Sequence, residues 1–251
     1  LQNLPGTIDH LMKYNPSYIS CTYGAGGGNV GANREVCQMI KNAGTTPVTH
    51  FTVIKNTKEG IKEQLDQYLA DGVDHMLALR GDIPLGETTT CGDFDYATDL
   101  VKFVRDTYGD KFEIAVAGSP EGHISCRSLE SDIAVLKQKQ DNGADYIMTQ
   151  LCWDMEQFKY WLDAIRKSRN HHAGRRWSYA RILDQAATIN MALSRNGCVM
   201  DRELSRMISQ TLAVPEPICS KRRRGQTVRR ILRQESCRVQ RRGYRIYRKT
   251  D

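Results

Sequence analysis

An α/β fold with parallel strands is predicted, because short β-type segments alternate with amphipathic helical segments along the chain. Polar and glycine-rich segments follow the predicted strands, which is where parallel sheets place their functional edge. The length of 251 residues fits a single (β/α)8 barrel domain. Five strands are recognisable before residue 168, so a complete barrel requires further strands towards the chain ends. An open doubly wound sheet is the structural alternative.

The predicted elements follow one another from residue 17. Strands are predicted at 17–23, 47–54, 75–79, 112–117 and 145–152, where apolar and β-branched residues cluster. Helices are predicted at 32–42, 58–70, 96–108, 129–140 and 155–165 from their apolar periodicity. Gly44 and Gly72 follow the first two helices, as expected for residues that end a helix.

The composition excludes several classes of protein. Hydrophobic residues make up 40% of the chain and charged residues 26%, which is ordinary for a globular protein and too apolar for a disordered one. Apolar runs are interrupted within a few residues, and no secretory pattern opens the chain, so neither a membrane span nor a signal peptide is expected. Eight cysteines without a CxxC pair predict a reduced, cytoplasmic protein without a structural metal site.

Charge is distributed unevenly along the chain. Residues 1–167 hold 16 Lys and Arg against 23 Asp and Glu, whereas the remainder holds 20 against 6. In that remainder every basic residue except Lys221 and Lys249 is Arg. Two different compositions therefore meet near residue 168.

Residues 168–182 and 211–251 are the source of this change in composition. Shifted by one nucleotide under suitable codons, 168–181 becomes a strand rich in β-branched residues, and 239–251 becomes an acidic helical segment. We therefore hypothesise that 168–182 and 211–251 are out-of-frame translations within one barrel domain over 1–251, whereas 1–167 and 183–210 are in frame. The alternative is a genuine Arg-rich tail that binds nucleic acid or a membrane surface. Charge runs alone are unspecific, so nucleic-acid binding is the less favoured interpretation.

Four segments at the ends of predicted strands carry most of the polar and glycine residues. They are Thr22-Tyr23-Gly24-Ala25-Gly26, Ala78-Leu79-Arg80-Gly81-Asp82, Val116-Ala117-Gly118-Ser119-Pro120-Glu121-Gly122-His123 and Ile147-Met148-Thr149-Gln150. Each has a plain interpretation when taken alone. Glycines after a strand usually form a turn, and Arg80 beside Asp82 is most simply a solvated ion pair.

In this order and spacing the four segments resemble the methylenetetrahydrofolate reductase family, and Tyr96-Ala97-Thr98-Asp99-Leu100 and Asn142-Gly143-Ala144-Asp145 also fit. The resemblance covers roughly residues 7–167 and again 183–204. It implies an α/β fold of the (β/α)8 TIM barrel type, here without its first strand and with later strands of doubtful sequence. It also implies reduction of 5,10-methylenetetrahydrofolate to 5-methyltetrahydrofolate, in which NADH or NADPH reduces a bound FAD, or FMN, and the flavin then reduces the folate.

The resemblance implies a set of residues in contact with the flavin: Thr22, Tyr23, Ala25, His50, Leu79, Arg80, Gly81, Asp82, Tyr96, Ala97, Ser119, His123, Asp132 and Lys139. Asp82 and Gln150 are also expected to bind the folate. Asp82 is the expected catalytic residue, because a carboxylate near the flavin pyrimidine edge disfavours negative charge on reduced flavin and favours hydride donation. Without the resemblance, His50 is more simply a satisfied core residue, and Asp132 and Lys139 are surface charges seven residues apart on one helix face.

Ring opening of the folate requires a general acid. The family takes it from a Glu in a first-strand segment such as Ser-Phe-Glu-Phe-Phe-Pro-Pro, which does not occur in this sequence. The resemblance further implies a cytoplasmic enzyme of one-carbon metabolism and methionine biosynthesis, either homo-oligomeric or assembled with a second redox subunit. Two other functions stay open: a flavin-binding electron-relay subunit of a larger complex, and a pterin-binding methyltransferase barrel without flavin.

Overall fold

The computed structural model describes residues 3–22, 30–83, 86–152 and 154–168. Tyr23 and Ala25 lie outside the described residues. So do the two segments that we hypothesise to be out of frame, apart from Ser168.

Helices and strands alternate along the described chain, as the sequence predicts. Their bounds are α1 Leu4–Met12, β1 Tyr18–Cys21, α2 Val30–Asn42, β2 Thr46–Thr52, α3 Lys58–Ala70, β3 His75–Leu79, α4 Ala97–Tyr108, β4 Glu113–Gly118, α5 Leu129–Asp141, β5 Tyr146–Thr149 and α6 Met155–Lys167. A short 3₁₀ turn, Gly109–Lys111, connects α4 to β4 and was not predicted. None of the described helices is long and apolar enough to cross a bilayer.

The five described strands form one sheet in chain order, β1-β2-β3-β4-β5, and β1 to β4 pair in parallel. Cys21 pairs with Thr49, and His50 pairs with Leu77. An open doubly wound sheet reverses its strand order at a switch point, and no reversal occurs among these five strands. The prediction of part of a (β/α)8 barrel is therefore confirmed.

Two compact units divide the chain. The first comprises Leu1–Ala117 and Val135–Met148, and the second comprises Gly118–Ala134 and Thr149–Asp251. The sequence hypothesis of a single domain over 1–251 stays a prediction.

Both faces of the sheet are covered in the first unit. On one face Val48, Leu77, Ala115 and Tyr146 form a buried cluster, against which Leu79 and neighbouring strand residues pack. Helices cover the other face: α3 buries Ile61, Leu65 and Tyr68, and α4 buries Leu100, Val101 and Val104. Burial on both faces explains why the strands read as nearly continuous apolar runs.

Helix α6 lies in the second unit and begins at a side-chain cap. Asp154 Oδ1 accepts hydrogen bonds from the backbone N–H groups of Glu156 and Gln157, at 2.9 and 3.1 Å. The Gln157 side chain donates to the Pro120 carbonyl at 2.7 Å. The first turn of α6 therefore holds the loop that follows β4.

Three of the predicted strands extend too far at their carboxyl ends. The structure ends β1 at Cys21, β2 at Thr52 and β5 at Thr149, which is two or three residues earlier than predicted. Apolar residues continue beyond the strand pairing, because Val53 and Ile54 are buried although neither belongs to β2. An apolar pattern therefore predicts which residues are buried, and burial continues beyond the last residue that pairs with a neighbouring strand.

Candidate active site

In the first unit, predicted site residues lie at the carboxyl ends of three neighbouring strands. Thr22 follows β1 directly and is exposed, His50 lies near the end of β2, and Leu79 ends β3. Leu79 packs against the Val48 cluster, and His50 pairs in register with Leu77 of that cluster. Because side chains alternate along a strand, His50 and Leu79 belong to the same face of the sheet.

His50 carries an unsatisfied polar atom. Its Nε2 is buried and has no hydrogen-bond partner among the described residues. Burial lowers the pKa of His50 below its ordinary value of 6.5, so the ring is neutral at pH 7. No other described residue therefore satisfies this nitrogen of His50. A buried polar atom without a partner costs free energy and suggests a contact to a ligand.

The loop after β3 turns at a glycine in the left-handed region. Gly81 has φ of +87°, a conformation that disfavours any residue with a Cβ. Arg80 donates through Nε to the Gly81 carbonyl at 3.3 Å, and Asp82 is exposed. Among the ion pairs of the described residues none joins Arg80 to Asp82, so the simple ion-pair interpretation is wrong.

Tyr96 and Ala97 mark the start of α4. Ala97 is the first helical residue, and the Tyr96 N–H donates to Asp99 Oδ2 at 3.0 Å. This bond fixes the backbone of Tyr96, while the residue remains 61% exposed. An exposed aromatic ring on a fixed backbone is suited to cover a flat ligand.

Lys139, on α5, reaches the end of β4. Its Nζ donates to the Ala117 carbonyl at 3.1 Å, and the side chain is half-buried. The ammonium group therefore lies near the carboxyl end of β4.

In the second unit Asp132 organises the loop after β4. The His123 N–H donates to Asp132 Oδ2 at 3.2 Å, and the Cys126 thiol donates to Asp132 Oδ1 at 3.7 Å. Asp132 is only 7% exposed. The interpretation of Asp132 as a solvated surface charge is therefore wrong, whereas His123 is exposed on the loop that Asp132 holds.

Ser119 and Gln150 also lie in the second unit. The Ser119 carbonyl accepts from the Gly122 N–H at 2.9 Å, which closes a turn before His123. The Gln150 N–H donates to the Gly118 carbonyl at 2.7 Å, and Gln150 Oε1 accepts from the Leu151 N–H at 2.9 Å. These bonds fix the backbone and the amide plane of Gln150.

Sequence reasoning did not identify Asn33, a buried residue of α2 whose amide binds the end of β1. A signal was present, because Asn33, Cys37 and Ile40 share the i, i+4, i+7 spacing of the apolar face of α2, and all three are buried. A polar residue on an apolar face requires a partner. The sequence alone does not name that partner.

The described residues contain no group of three or more His, Cys, Asp or Glu side chains placed to hold a metal ion. The cysteines at 21, 37, 91, 126 and 152 carry free thiols.

Several known proteins with similar sequences are named as methylenetetrahydrofolate reductases. The methylenetetrahydrofolate reductase family profile matches residues 1–172. Methylenetetrahydrofolate reductase (NADH) 1 of Arabidopsis thaliana is 35% identical over 180 residues, covering 66% of this chain and 30% of that protein. Methylenetetrahydrofolate reductase 2 of Saccharomyces cerevisiae is 34% identical over 174 residues, with coverages of 66% and 29%. The 5,10-methylenetetrahydrofolate reductase of Escherichia coli K12 is 34% identical over 158 residues, with coverages of 62% and 52%.

The chain thus spans about a third of the plant and yeast relatives and about half of the bacterial one. Among solved structures, phosphoenolpyruvate phosphomutase from Streptomyces platensis subsp. rosaceus aligns with a TM-score of 0.49 and 10% identity, covering 96% of this chain and 92% of that chain. That likeness is too low to inform the function. Because the family profile covers more than half of the sequence, this chain belongs to the methylenetetrahydrofolate reductase family.

Proposed function

We propose that this chain binds FAD at the carboxyl ends of its strands and reduces 5,10-methylenetetrahydrofolate to 5-methyltetrahydrofolate by hydride transfer, with a nicotinamide cofactor as electron donor. FMN is the alternative flavin. Family membership supports the substrate, and the plant relatives are named as NADH enzymes, which supports a nicotinamide donor. The cytoplasmic location and the assembly with a second copy or a redox subunit stay predictions from the resemblance.

The buried Nε2 of His50 supports the flavin most directly. It lies near the carboxyl end of β2 and lacks a partner among the described residues. A flavin ring carries both hydrogen-bond donors and acceptors on its polar edge, so it could satisfy this nitrogen in either tautomer of the imidazole. The described residues therefore fit the group that the family resemblance implies.

Other residues of the first unit would hold the flavin by complementary contacts. Thr22 and Leu79 lie at the carboxyl ends of β1 and β3, on either side of β2, and the Tyr96 ring is exposed at the start of α4. The Lys139 ammonium, at the end of β4, supplies a positive charge for the anionic part of the cofactor. Arg80 and Asp82 form no direct ion pair with each other, so each can contact a ligand.

A bound flavin supplies two-electron hydride chemistry between the nicotinamide and the folate. The contribution of Asp82 is electrostatic, because its carboxylate opposes negative charge on the reduced ring and makes hydride donation easier. Gln150, in the second unit, is the residue that the resemblance assigns to the folate. Its amide can pair with the donor and acceptor edge of a pterin.

The test is titration of the purified full chain with FAD, followed by visible absorption and flavin fluorescence, with identification of any cofactor released on denaturation. We expect a yellow protein. We expect His50→Leu to raise the dissociation constant of FAD about tenfold, the equivalent of one lost hydrogen bond. His75→Leu is the matched control, since His75 begins β3 at the opposite edge of the sheet and pairs with Asp74 and Glu113.

A folded chain that binds neither FAD nor FMN would contradict the proposal, and circular dichroism on the same sample would establish that it is folded. A chain that binds flavin and accepts electrons from NADH, but transfers none to methylenetetrahydrofolate, would favour the electron-relay function instead.

A further inference from the structure

Asn33 ties α2 to the end of β1. The residue is 2% exposed, and its Nδ2 donates to the carbonyl oxygens of Cys21 at 3.2 Å and of Thr22 at 3.1 Å. Cys21 is the last residue of β1, and Thr22 is the first residue beyond it. The two bonds therefore hold the backbone at the point where the strand ends.

The other half of the same amide is held from two further elements. Oδ1 of Asn33 accepts hydrogen bonds from Thr49 Oγ1 of β2 at 2.8 Å and from the Tyr68 hydroxyl of α3 at 2.6 Å. The Cys37 thiol approaches the same oxygen at 3.5 Å. Thr49 and Tyr68 are fully buried, so this oxygen is fixed within the core of the first unit.

These contacts fix the orientation of the amide. The NH2 group faces the carbonyl oxygens of Cys21 and Thr22 and also Cys21 Sγ, at 3.3 Å, and the lone pairs of Oδ1 receive two hydroxyl groups, so the amide uses its full hydrogen-bonding capacity. Turning the amide over would place Oδ1 against the carbonyl oxygens of Cys21 and Thr22, which can only accept. The donor half of Asn33 is therefore committed to the strand end.

This arrangement matters because of what Thr22 adjoins. Thr22 is exposed and lies outside the β1–β2 pairing, which ends with Cys21 opposite Thr49. Among the described residues, two side chains donate to the Thr22 carbonyl. They are the Asn33 amide, at 3.1 Å, and the Cys21 thiol, at 3.8 Å. Without the Asn33 amide, the backbone direction at the end of β1 would be much less constrained.

We propose that Asn33 is a positioning residue for the flavin site. Its side-chain NH2 group holds the carbonyls of Cys21 and Thr22 and so sets where Thr22 meets the cofactor. The inference rests on the proposed function, because the flavin is the ligand that Thr22 would contact. Asn33 itself does not touch the cofactor and acts through the strand end.

Two substitutions separate the two halves of the amide. Asn33→Asp removes the donors to Cys21 and Thr22 and retains acceptors for Thr49 and Tyr68. Tyr68→Phe removes one bond on the acceptor side and leaves both carbonyl bonds in place. Asn33→Ser, which is small and neutral, serves as a second variant because a buried carboxylate can prevent folding.

The first readout is the dissociation constant of FAD for the full chain, measured by fluorescence at a temperature where circular dichroism shows every variant folded. We expect Asn33→Asp and Asn33→Ser to raise the constant about tenfold, and Tyr68→Phe to change it less than about twofold. The second readout is hydrogen exchange in the flavin-free chain. Exchange at Thr22 should accelerate in both Asn33 variants and not in Tyr68→Phe.

The outcomes distinguish the two proposals. If the wild-type chain binds FAD and the Asn33 variants bind it equally well, or if Tyr68→Phe weakens binding as much as they do, the positioning role is overturned and the proposed function stands. If the wild-type chain is folded and binds no flavin, the proposed function fails, and the positioning role towards the flavin fails with it. Unchanged hydrogen exchange in both Asn33 variants would overturn the anchoring of β1 whether or not flavin binds.

Discussion

Two polar side chains of the first unit use their hydrogen-bonding capacity in opposite ways. The Asn33 amide is fully paired with strand and helix partners, whereas His50 Nε2 has no partner among the described residues. A paired group stabilises one arrangement of the backbone, and an unpaired one lowers stability until a ligand satisfies it. At the residue scale, Asn33 therefore supports the structure, whereas His50 is a candidate contact for a ligand.

The pH dependence of stability should report His50. Burial lowers its pKa in the folded chain from the ordinary 6.5, so the unfolded chain binds more protons as the pH falls through that value. Well above pH 6.5 the ring is neutral in both states, and protonation of the unfolded chain lowers the stability of the folded state progressively as the pH falls below 6.5. We expect the free energy of unfolding to decrease between pH 7 and pH 5 more steeply in the wild-type chain than in His50→Leu, as measured by urea unfolding. Equal slopes would mean that His50 titrates normally in the folded state.

At the scale of elements, one guanidinium group joins the last turn of α4 to the residues that precede β5. Arg105 donates to the Gly143 carbonyl at 2.6 Å and to Asp145 Oδ2 at 2.8 Å. The same carboxylate oxygen of Asp145 accepts from the Ile114 N–H of β4 at 2.7 Å. The amino-terminal edge of the sheet is thus held by charged hydrogen bonds, opposite the edge that carries the candidate site.

Arg105→Met should destabilise the chain by about 2–3 kcal/mol, because it leaves Asp145 without its cationic partner and the Gly143 carbonyl without its donor. Lys102→Met is the matched control on the same helix, because the Lys102–Asp106 pair is 62% exposed on both sides and should contribute less than about 0.5 kcal/mol. Denaturant unfolding of the two variants measures the difference. Similar losses in both would show that the Arg105 contacts contribute no more than an exposed ion pair.

The order and type of these elements could be predicted from the sequence, because apolar periodicity directly reflects which face of a helix or strand is buried. The ends of β1, β2 and β5 could not, because burial continues past the last paired residue, as at Val53. The family resemblance, rather than any local pattern, singled out His50, and Asn33 was missed. Asn33 binds partners in three other elements, and His50 Nε2 has no partner among the described residues, and apolar periodicity reports neither property.

At the scale of the whole molecule, sequence similarity and composition change in the same region. The family profile ends at residue 172, and the acidic composition gives way to an Arg-rich one near residue 168. The residues after 168 lie outside the described part of the chain, so the out-of-frame hypothesis for 168–182 and 211–251 is a statement about sequence alone.

Intact-protein mass spectrometry tests that hypothesis. The printed sequence corresponds to 28.5 kDa, and we expect protein isolated from its natural source to differ from this mass. A mass that matches the printed sequence would contradict a sequencing error as the origin of the Arg-rich segments. In that case, steeply salt-dependent binding to arbitrary DNA would support a functional basic tail.

The bonds of Asn33 also bear on the order of folding. The amide joins residues that are only 11 and 12 positions apart in sequence, so forming these contacts closes a short loop at small entropic cost. Contacts of such low sequence separation can form early, before distant strands assemble. These two bonds are therefore encoded locally, whereas the bonds from Thr49 and Tyr68 that orient the amide span 16 and 35 positions and must form later.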